Sequence, residues 1–575
     1  MKCRVLVGLI LLATCGALKA RTPKSFSQGS DLANGNNYSP AGVPTSANDV
    51  LLTSPQTALA LDGTNVSMGS LNLASGSYTI ANNVQNATNS TLALGGGDGV
   101  NSIGGSPADT IYLGCPACGL TIQGPNGNFG VGVLQLTLSG TFDVAQAGAT
   151  LNISADLPNS FTTTVTKKGL GILNLSSAMT SFGGGLDVEA GRVNVLPGAS
   201  FGPPLHFYLQ VNNANTGAGT AVTLDLRTSV NVAYLSGSVA QASTGTNTAS
   251  VNLEGASTVL ALSTGSSGAG TYAGAITGTG SVVFSSRSTA GAFNGNNSYA
   301  GTTSVSQGTL LINGVSSGQG NYLVSGGSSI ALAALGGTGT IGLANNSTMT
   351  FGQFSQLQPG PQNAIGTLTV QGSGSSGVIF GDGSAYVADI GPAGASDRLV
   401  INGGSINLTS SSDTLTLNAL AGAFDGSNYT IATFDQNVGG GTFNNVQGLP
   451  AGYSVQYNPT SIRLVVPQQP LQLVAAASRK THGTAGTFDL DLLAGNAVEP
   501  RNSGGTLTLV FTFTNYMVSG NAVVTAGTGT VSGSPTFSGR TMTVNLTGVA
   551  DVQRLGVTLQ NATDQFSQTL PDTTF

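Results

Sequence analysis

The twenty-residue stretch "GNNSYAGTTSVSQGTLLING", Gly295 to Gly314, constrains this chain more than any other feature, because the chain holds it twice. The earlier copy, "SSAMTSFGGGLDVEAGRVNVLPG", aligns when displaced by 117 positions. Phe182 then meets Tyr299, Gly184 meets Gly301, Val188 meets Val305 and Gly191 meets Gly308. Val193 meets Leu310 and Val195 meets Ile312. Agreement at six places in one displacement defines an internal repeat, and such a unit buries its apolar face only by stacking on neighbours. What recurs is alternating apolar residues with glycine at fixed places, which reads as short strands joined at corners where φ is positive.

Composition decides between order and disorder here. Only 7% of the 575 residues are charged, which alone would allow either. Disordered chains lack apolar and β-branched residues, whereas 40% of this chain is apolar. The 85 glycines disfavour helix, at about 1 kcal/mol for each interior position. The net charge of −6 is thinly spread and no basic patch exists to neutralise phosphates, which excludes nucleic acid as a partner.

Runs such as "MGSLNLASGSYTI", "NSTLALGGG", "GVLQLTLSGTFDV" and "ATLNISADL" alternate in the manner of half-buried strands. Leu71, Leu73, Tyr78 and Ile80 carry that alternation in the first, and Val222, Leu224 and Leu226 carry it in "VTLDLRTSVNVAYLSGSV". No 3.6-residue period persists between Thr45 and Val466. A β-sandwich, a propeller and a solenoid all accept such a pattern. The tract is too long for one sandwich and lacks the aromatic signature of propeller blades. The repeat therefore favours a right-handed parallel β-helix, with coils of roughly 20 residues in a rod about 100 Å long.

The chain opens with "MKCRVLVGLILLATCGALKA", where Lys2 and Arg4 precede an apolar core from Val5 to Ala13. That core is too short to span a bilayer, and Ala20 offers a cleavage point, so residues 1–20 read as a secretory signal peptide. "LATC" resembles a lipoprotein box at Cys15, but Thr14 stands where such boxes carry Gly, Ala or Ser. No other stretch is apolar enough for a transmembrane helix, and the expected location is secreted or on the cell surface. Beyond residue 20 the only cysteines are Cys115 and Cys118, in "GCPACGL". In an oxidising compartment they are expected to form a local disulfide; one pair lacks the further ligands of a structural zinc.

"KKGLGILNLSSAMTSFGGGLDVEAGRVNVLPG" and "GSVVFSSRSTAGAFNGNNSYAGTTSVSQGTLLING" resemble the autotransporter-associated β-strand repeat of bacterial exported passenger proteins. "AGTYAGAITGTGSVVF" resembles the coil leading into that repeat, and "LGGTGTIG" with "LQPGPQNAIGTLTVQG" resembles its later coils. "SDRLVINGGSINL" and "GTFNNVQGLPAGYSVQYNPTSIRLVV" resemble the closing segment. "NNYSPAGVPTSANDVLL" resembles the opening strand, with Tyr38 in place of the usual tryptophan. The resemblance implies a β-helix of the pectin lyase-like type over residues 21–466, and an architecture rather than a chemistry.

Pro467 and Pro470 mark a linker, after which strands lengthen and the glycine spacing is lost. Residues 467–575 have the length of one β-sandwich. They resemble a C-terminal module of exported bacterial proteins that carries the "SRKTHG-AGTFDLDL" opening and is often followed by a dockerin-like tail. Phe575 mimics the last aromatic of an outer-membrane barrel, but Pro571 interrupts the alternation and the residues after Pro470 are too few for such a barrel.

Candidate chemistry is sparse. Asp187 and Glu189 share one strand face, with Lys167 and Lys168 as candidate partners, in the arrangement a glycosidase or lyase would need. The second copy carries Ser304 and Ser306 there, which favours an ordinary solvated face. Asp489 and Asp491 lie near His482, Arg479 and Lys480, where a polar strand face again explains the pattern more simply than a metal does. "GGGDGVNS" around Asp98 and "GDGSAY" around Asp382 lack the nine-residue spacing of a calcium β-roll. With only His206 and His482 available, no Ser-His-Asp set can be assembled. The expectation is a secreted or surface structural protein of adhesin type, with no catalytic, cofactor or metal residues. Its expected partners are extracellular polysaccharide or cell-surface components. The alternative is a polysaccharide-binding or polysaccharide-cleaving β-helix protein.

Overall fold

Alternation of a branched apolar residue with a small polar one sends every second side chain to the same side of an extended chain. Repeating that alternation about every 20 to 30 residues lets equivalent apolar positions line up. The computed structural model describes residues 22–53, 58–61, 65–81, 90–95, 109–123, 134–155, 164–176, 178–179, 184–201, 208–264, 270–466, 468–494, 497–500 and 504–575. The signal segment, Phe182, Asp98 and His206 lie outside these residues. Among the described residues the chain is all-β, and its only helical pieces are the 3₁₀ turns Gly35–Asn37 and Gly483–Ala485.

Contacts divide the chain into two compact units. The first comprises residues 1–387, 398–415 and 434–445, and its strands pair in parallel apart from Tyr38–Ser39, which lies antiparallel to Thr22–Phe26. One sheet of nine strands runs from Ala58–Ala60 through Ser77–Ala81, Gly119–Ile122, Thr150–Ile153, Ile172–Leu175, Gly191–Val195, Ala221–Leu226 and Thr248–Leu253 to Ala275–Gly278. Its registers stack Tyr78, Leu120, Leu151, Leu173, Val193, Leu224, Val251 and Ile276 in one continuous buried column. Each such side chain contributes about 1.5–3 kcal/mol on burial, so the column is the main source of cohesion. A second sheet interleaves with the first in sequence and includes Leu134–Val144, Val165–Lys168, Gly185–Val188, Tyr208–Val211 and Tyr234–Ser236. Further along, Ser281–Phe293, Thr303–Ile312, Tyr322–Val324, Thr348–Phe351, Gly377–Phe380 and Ser405–Asn407 pair in parallel in the same manner.

The two repeat copies occupy matching places. Val188, Val193 and Val195 are fully buried in the first, as are Leu310 and Ile312 in the second, with Val305 at 1% exposure. Gly191 has φ +68 and Gly308 φ +77, both in the left-handed region that strains any other residue. A side chain at Gly308 would also strike the Ser286 carbonyl. Gly184 stands one residue and Gly301 two residues before the first strand of its copy, and buried Tyr299 shares a 2.7 Å hydroxyl hydrogen bond with Thr303. The copies differ in continuity: Gly185–Val188 and Gly191–Val195 are separate strands, whereas Thr303–Ile312 is one strand with an irregular register.

The second unit comprises residues 388–397, 416–433 and 446–575. Here pairing turns antiparallel: Ser461–Val465 lies between Tyr429–Thr433 and Ser454–Asn458. An antiparallel six-stranded sheet is built around Leu473–Thr481, Leu507–Phe513 and Thr541–Thr547, and a three-stranded one around Met517–Ala526 and Gly556–Asp564. Their common core holds Phe511, Phe513, Met542, Val544, Leu546, Val557 and Leu559. Phe575 belongs to it, with its ring 5.2 Å from Phe511 and two main-chain bonds of 2.9 Å exchanged with Val557. The segment between the prolines and this core is no loose tether. Asn515 donates to the Gln469 carbonyl at 2.6 Å, Gln568 donates to the same carbonyl at 2.7 Å, and the Gln472 N–H reaches Thr514 at 2.9 Å.

Candidate functional site

On the outward side of the nine-stranded sheet, the residues between the core positions form a polar ladder. Asn152 donates to Thr121 at 3.1 Å, Asn174 to Asn152 at 2.7 Å and Asn194 to Asn174 at 2.7 Å. The next rung is Asp225, beside Asn194 in register, which receives the Asn252 amide at 3.0 Å. Thr277 then donates to Asn252 at 3.3 Å. Asn194 and Asp225 both present acceptors, and Asn194 Oδ1 is buried without a protein partner. Arg192 joins the two strands by a 2.7 Å ion pair to Asp225, and Arg227 pairs with Glu254 at 2.8 Å. This face is therefore consumed by its own hydrogen bonds, which rigidify neighbouring strands.

The second sheet presents the carboxylate pair. Asp187 lies in register between Thr166 and Gln210 and accepts a 2.9 Å hydrogen bond from Asn212. Burial pushes the Asp187 carboxyl above its ordinary value; the Asn212 bond opposes this, Glu189 adds to it and Lys168 again lowers it. Lys168 reaches Glu189 at 3.9 Å. Lys167, the other expected partner, is not on this face: its side chain is turned inward and fully buried. Beside the pair, Tyr208 and Tyr234 stack with centroids 5.4 Å apart and ring planes 6° apart. Gly185 lies directly against Tyr208 and Gly270 against Tyr234, so these two rings offer hydroxyls and edges rather than open faces.

The remaining candidates resolve into structural contacts. Cys115 and Cys118 are joined in a disulfide across a tight turn, with Cα atoms 5.4 Å apart. Asp382 caps a neighbouring loop: its Oδ1 accepts from the Ser411 N–H at 2.8 Å and from the Ser411 and Ser410 hydroxyls at 2.9 and 3.0 Å. These bonds, the Ser411 N–H foremost, hold its carboxyl below the ordinary range. Arg479 grips Asp489 in a two-pronged pair of 2.8 and 2.7 Å, Asp491 accepts from the Leu493 N–H, and the His482 ring lies 5.9 Å from that of Phe488. Among the described residues, no group of three or more His, Cys, Asp or Glu side chains converges to hold a metal ion. No helix there is long and apolar enough to cross a membrane.

Sequence reasoning missed two arrangements. One is the amide ladder, whose signal was the asparagine at the same place in "TLNI", "ILNL" and "RVNV". The other is a buried polar trio: Ser70 donates to Asp49 at 2.6 Å and Asn72 donates to Ser70 at 2.8 Å, all three fully buried. No protein-family profile and no curated protein matches this chain.

Proposed function

We propose that this chain is an exported, non-catalytic structural protein of adhesin type, resembling autotransporter passengers, in which the parallel sheets wind as a right-handed β-helix and residues 467–575 form a β-sandwich. The winding is the reading that best accounts for sheets whose successive strands are parallel and lie 20 to 31 residues apart at the ladder bonds. Right-handedness follows the general rule for parallel crossover connections. The observation that carries the functional reading is the behaviour of the two repeat copies. Their left-handed glycines and buried valines, leucine and isoleucine coincide, while Asp187, Glu189 and Arg192 give way to Ser304, Ser306 and Thr309. Stacking is kept and outward chemistry is free to vary, as a scaffold requires.

Export to the cell surface or beyond follows from the signal segment and suits the Cys115–Cys118 disulfide. Extracellular polysaccharide or cell-surface components are the proposed partners. A glycan array probed with the purified chain lacking residues 1–20, together with an assay for release of reducing or unsaturated sugar ends, tests this reading. Binding without cleavage, or neither, agrees with it. Cleavage abolished by Asp187→Asn with the fold intact would replace it with the second reading, a polysaccharide-cleaving protein, which the raised Asp187 carboxyl beside Glu189 favours.

A further inference from the structure

Strand Val165–Lys168 alternates like its neighbours, so Lys167 points to the same buried side of the second sheet as Val165. Its register partners are Phe142 and Val188, 2% and 0% exposed, and Lys167 is itself fully buried. The ammonium donates to the carbonyls of Lys168 at 2.7 Å, Gly169 at 2.8 Å and Ala190 at 3.2 Å. The first ends its own strand, the second opens the turn after it, and the third follows the neighbouring strand Gly185–Val188. Three N–H groups meet three acceptors; a neutral amine would bring only two and a lone pair.

Burial opposes the charge that these carbonyls favour. It pushes Lys167 down to about 7, with Asp143 pulling back upward. The other charged groups on the elements packed here are already engaged: Lys168 with Glu189, and Asp187 with Asn212. Strands Thr150–Ile153 and Ile172–Leu175 carry no charged side chain. At the equivalent place in the second copy, 117 positions on, stands Phe284, 2% exposed and registered with Leu262 and Val305.

We propose that Lys167 is a proton-responsive site within the parallel stack, which makes the first repeat copy, and not the second, lose stability as the medium acidifies. The proton lost on titration goes to solvent, and no other group changes bonding except the carbonyl that the neutral amine no longer satisfies. A lysine whose folded value lies below its unfolded one leaves the unfolded chain holding more protons between the two values. Stability therefore rises with pH from about 7 towards 10.5 and is lowest below that window.

Two measurements on the full exported chain test this. In protein carrying lysine labelled with carbon-13 at Cε, one signal should titrate near neutrality and be missing from Lys167→Arg. Urea unfolding across the same pH range should show a midpoint that climbs with pH in the wild type relative to Lys167→Met. Lysine signals that all titrate near the ordinary lysine value would overturn the proposal, as would midpoints of the two proteins that stay parallel. Should Lys167→Met fail to fold, the wild-type titration decides alone.

Discussion

The two repeat copies are the same device assembled under different chemical terms. At the inward position of the strand that leads into it, one copy has Phe284, the other Lys167. Phe284 stabilises by area removed from water. Lys167 gains three carbonyl bonds and keeps a charge where charge is costly. The strands also differ: the copy with phenylalanine runs as one strand from Thr303 to Ile312, whereas the copy with lysine breaks between Val188 and Gly191. The carbonyl of Ala190, in that break, is one of those turned to the ammonium. An interior cation thus draws on turn carbonyls that an apolar core leaves to the backbone.

The largest effect expected in this comparison comes from emptying the apolar copy. Phe284→Ala should cost about 3–5 kcal/mol in chemical unfolding, because the cavity lies in a stacked column that cannot easily collapse. Gly308→Val should follow, at roughly 1–3 kcal/mol for the left-handed backbone alone, with the encounter with the Ser286 carbonyl added to it. Gly191→Val should behave alike, and an unfolding midpoint unchanged by either would undo the claim that the two corners are equivalent. Asn174→Ala removes one rung of the ladder and should cost about 1 kcal/mol, read from the same denaturation curves. Smallest of all, Asp187→Asn and Glu189→Gln should each stay within about 0.5 kcal/mol and leave glycan binding unaltered. A larger shift from either would mean that the outward face of the first copy does work that the second lacks.

Much of this could be read from the chain beforehand. The alternation at Leu71, Leu73, Val222, Leu224 and Leu226 translates directly into buried strand positions, because a period of two has only one structural meaning. The glycines at 191 and 308 announced corners, and both have positive φ. Lys167 escaped because sequence assigns a lysine to water by default, and only the count of positions from Val165 would have placed it inward. The ladder escaped because a single asparagine per strand looks like ordinary surface until the register is known. The prolines before residue 471 suggested a tether, yet proline reports a missing N–H and not whether the neighbouring carbonyls are held, as those of Gln469 and Pro470 are.

The amide ladder has a direction. From Thr121 to Asn194 every bond points back towards the preceding strand, so each strand that joins finds an acceptor already waiting. At Asp225 the sequence of dipoles stops and begins again, and the guanidinium of Arg192 spans the fault. The steps before it are held by neutral amides, which dissolved ions barely touch, whereas this one and the next, where Arg227 meets Glu254, carry opposite charges with both arginines half in solvent. Brine therefore acts on the side-chain bonds of this sheet as a wedge at the fault and the step beyond it, and leaves the amide ladder before them as it was.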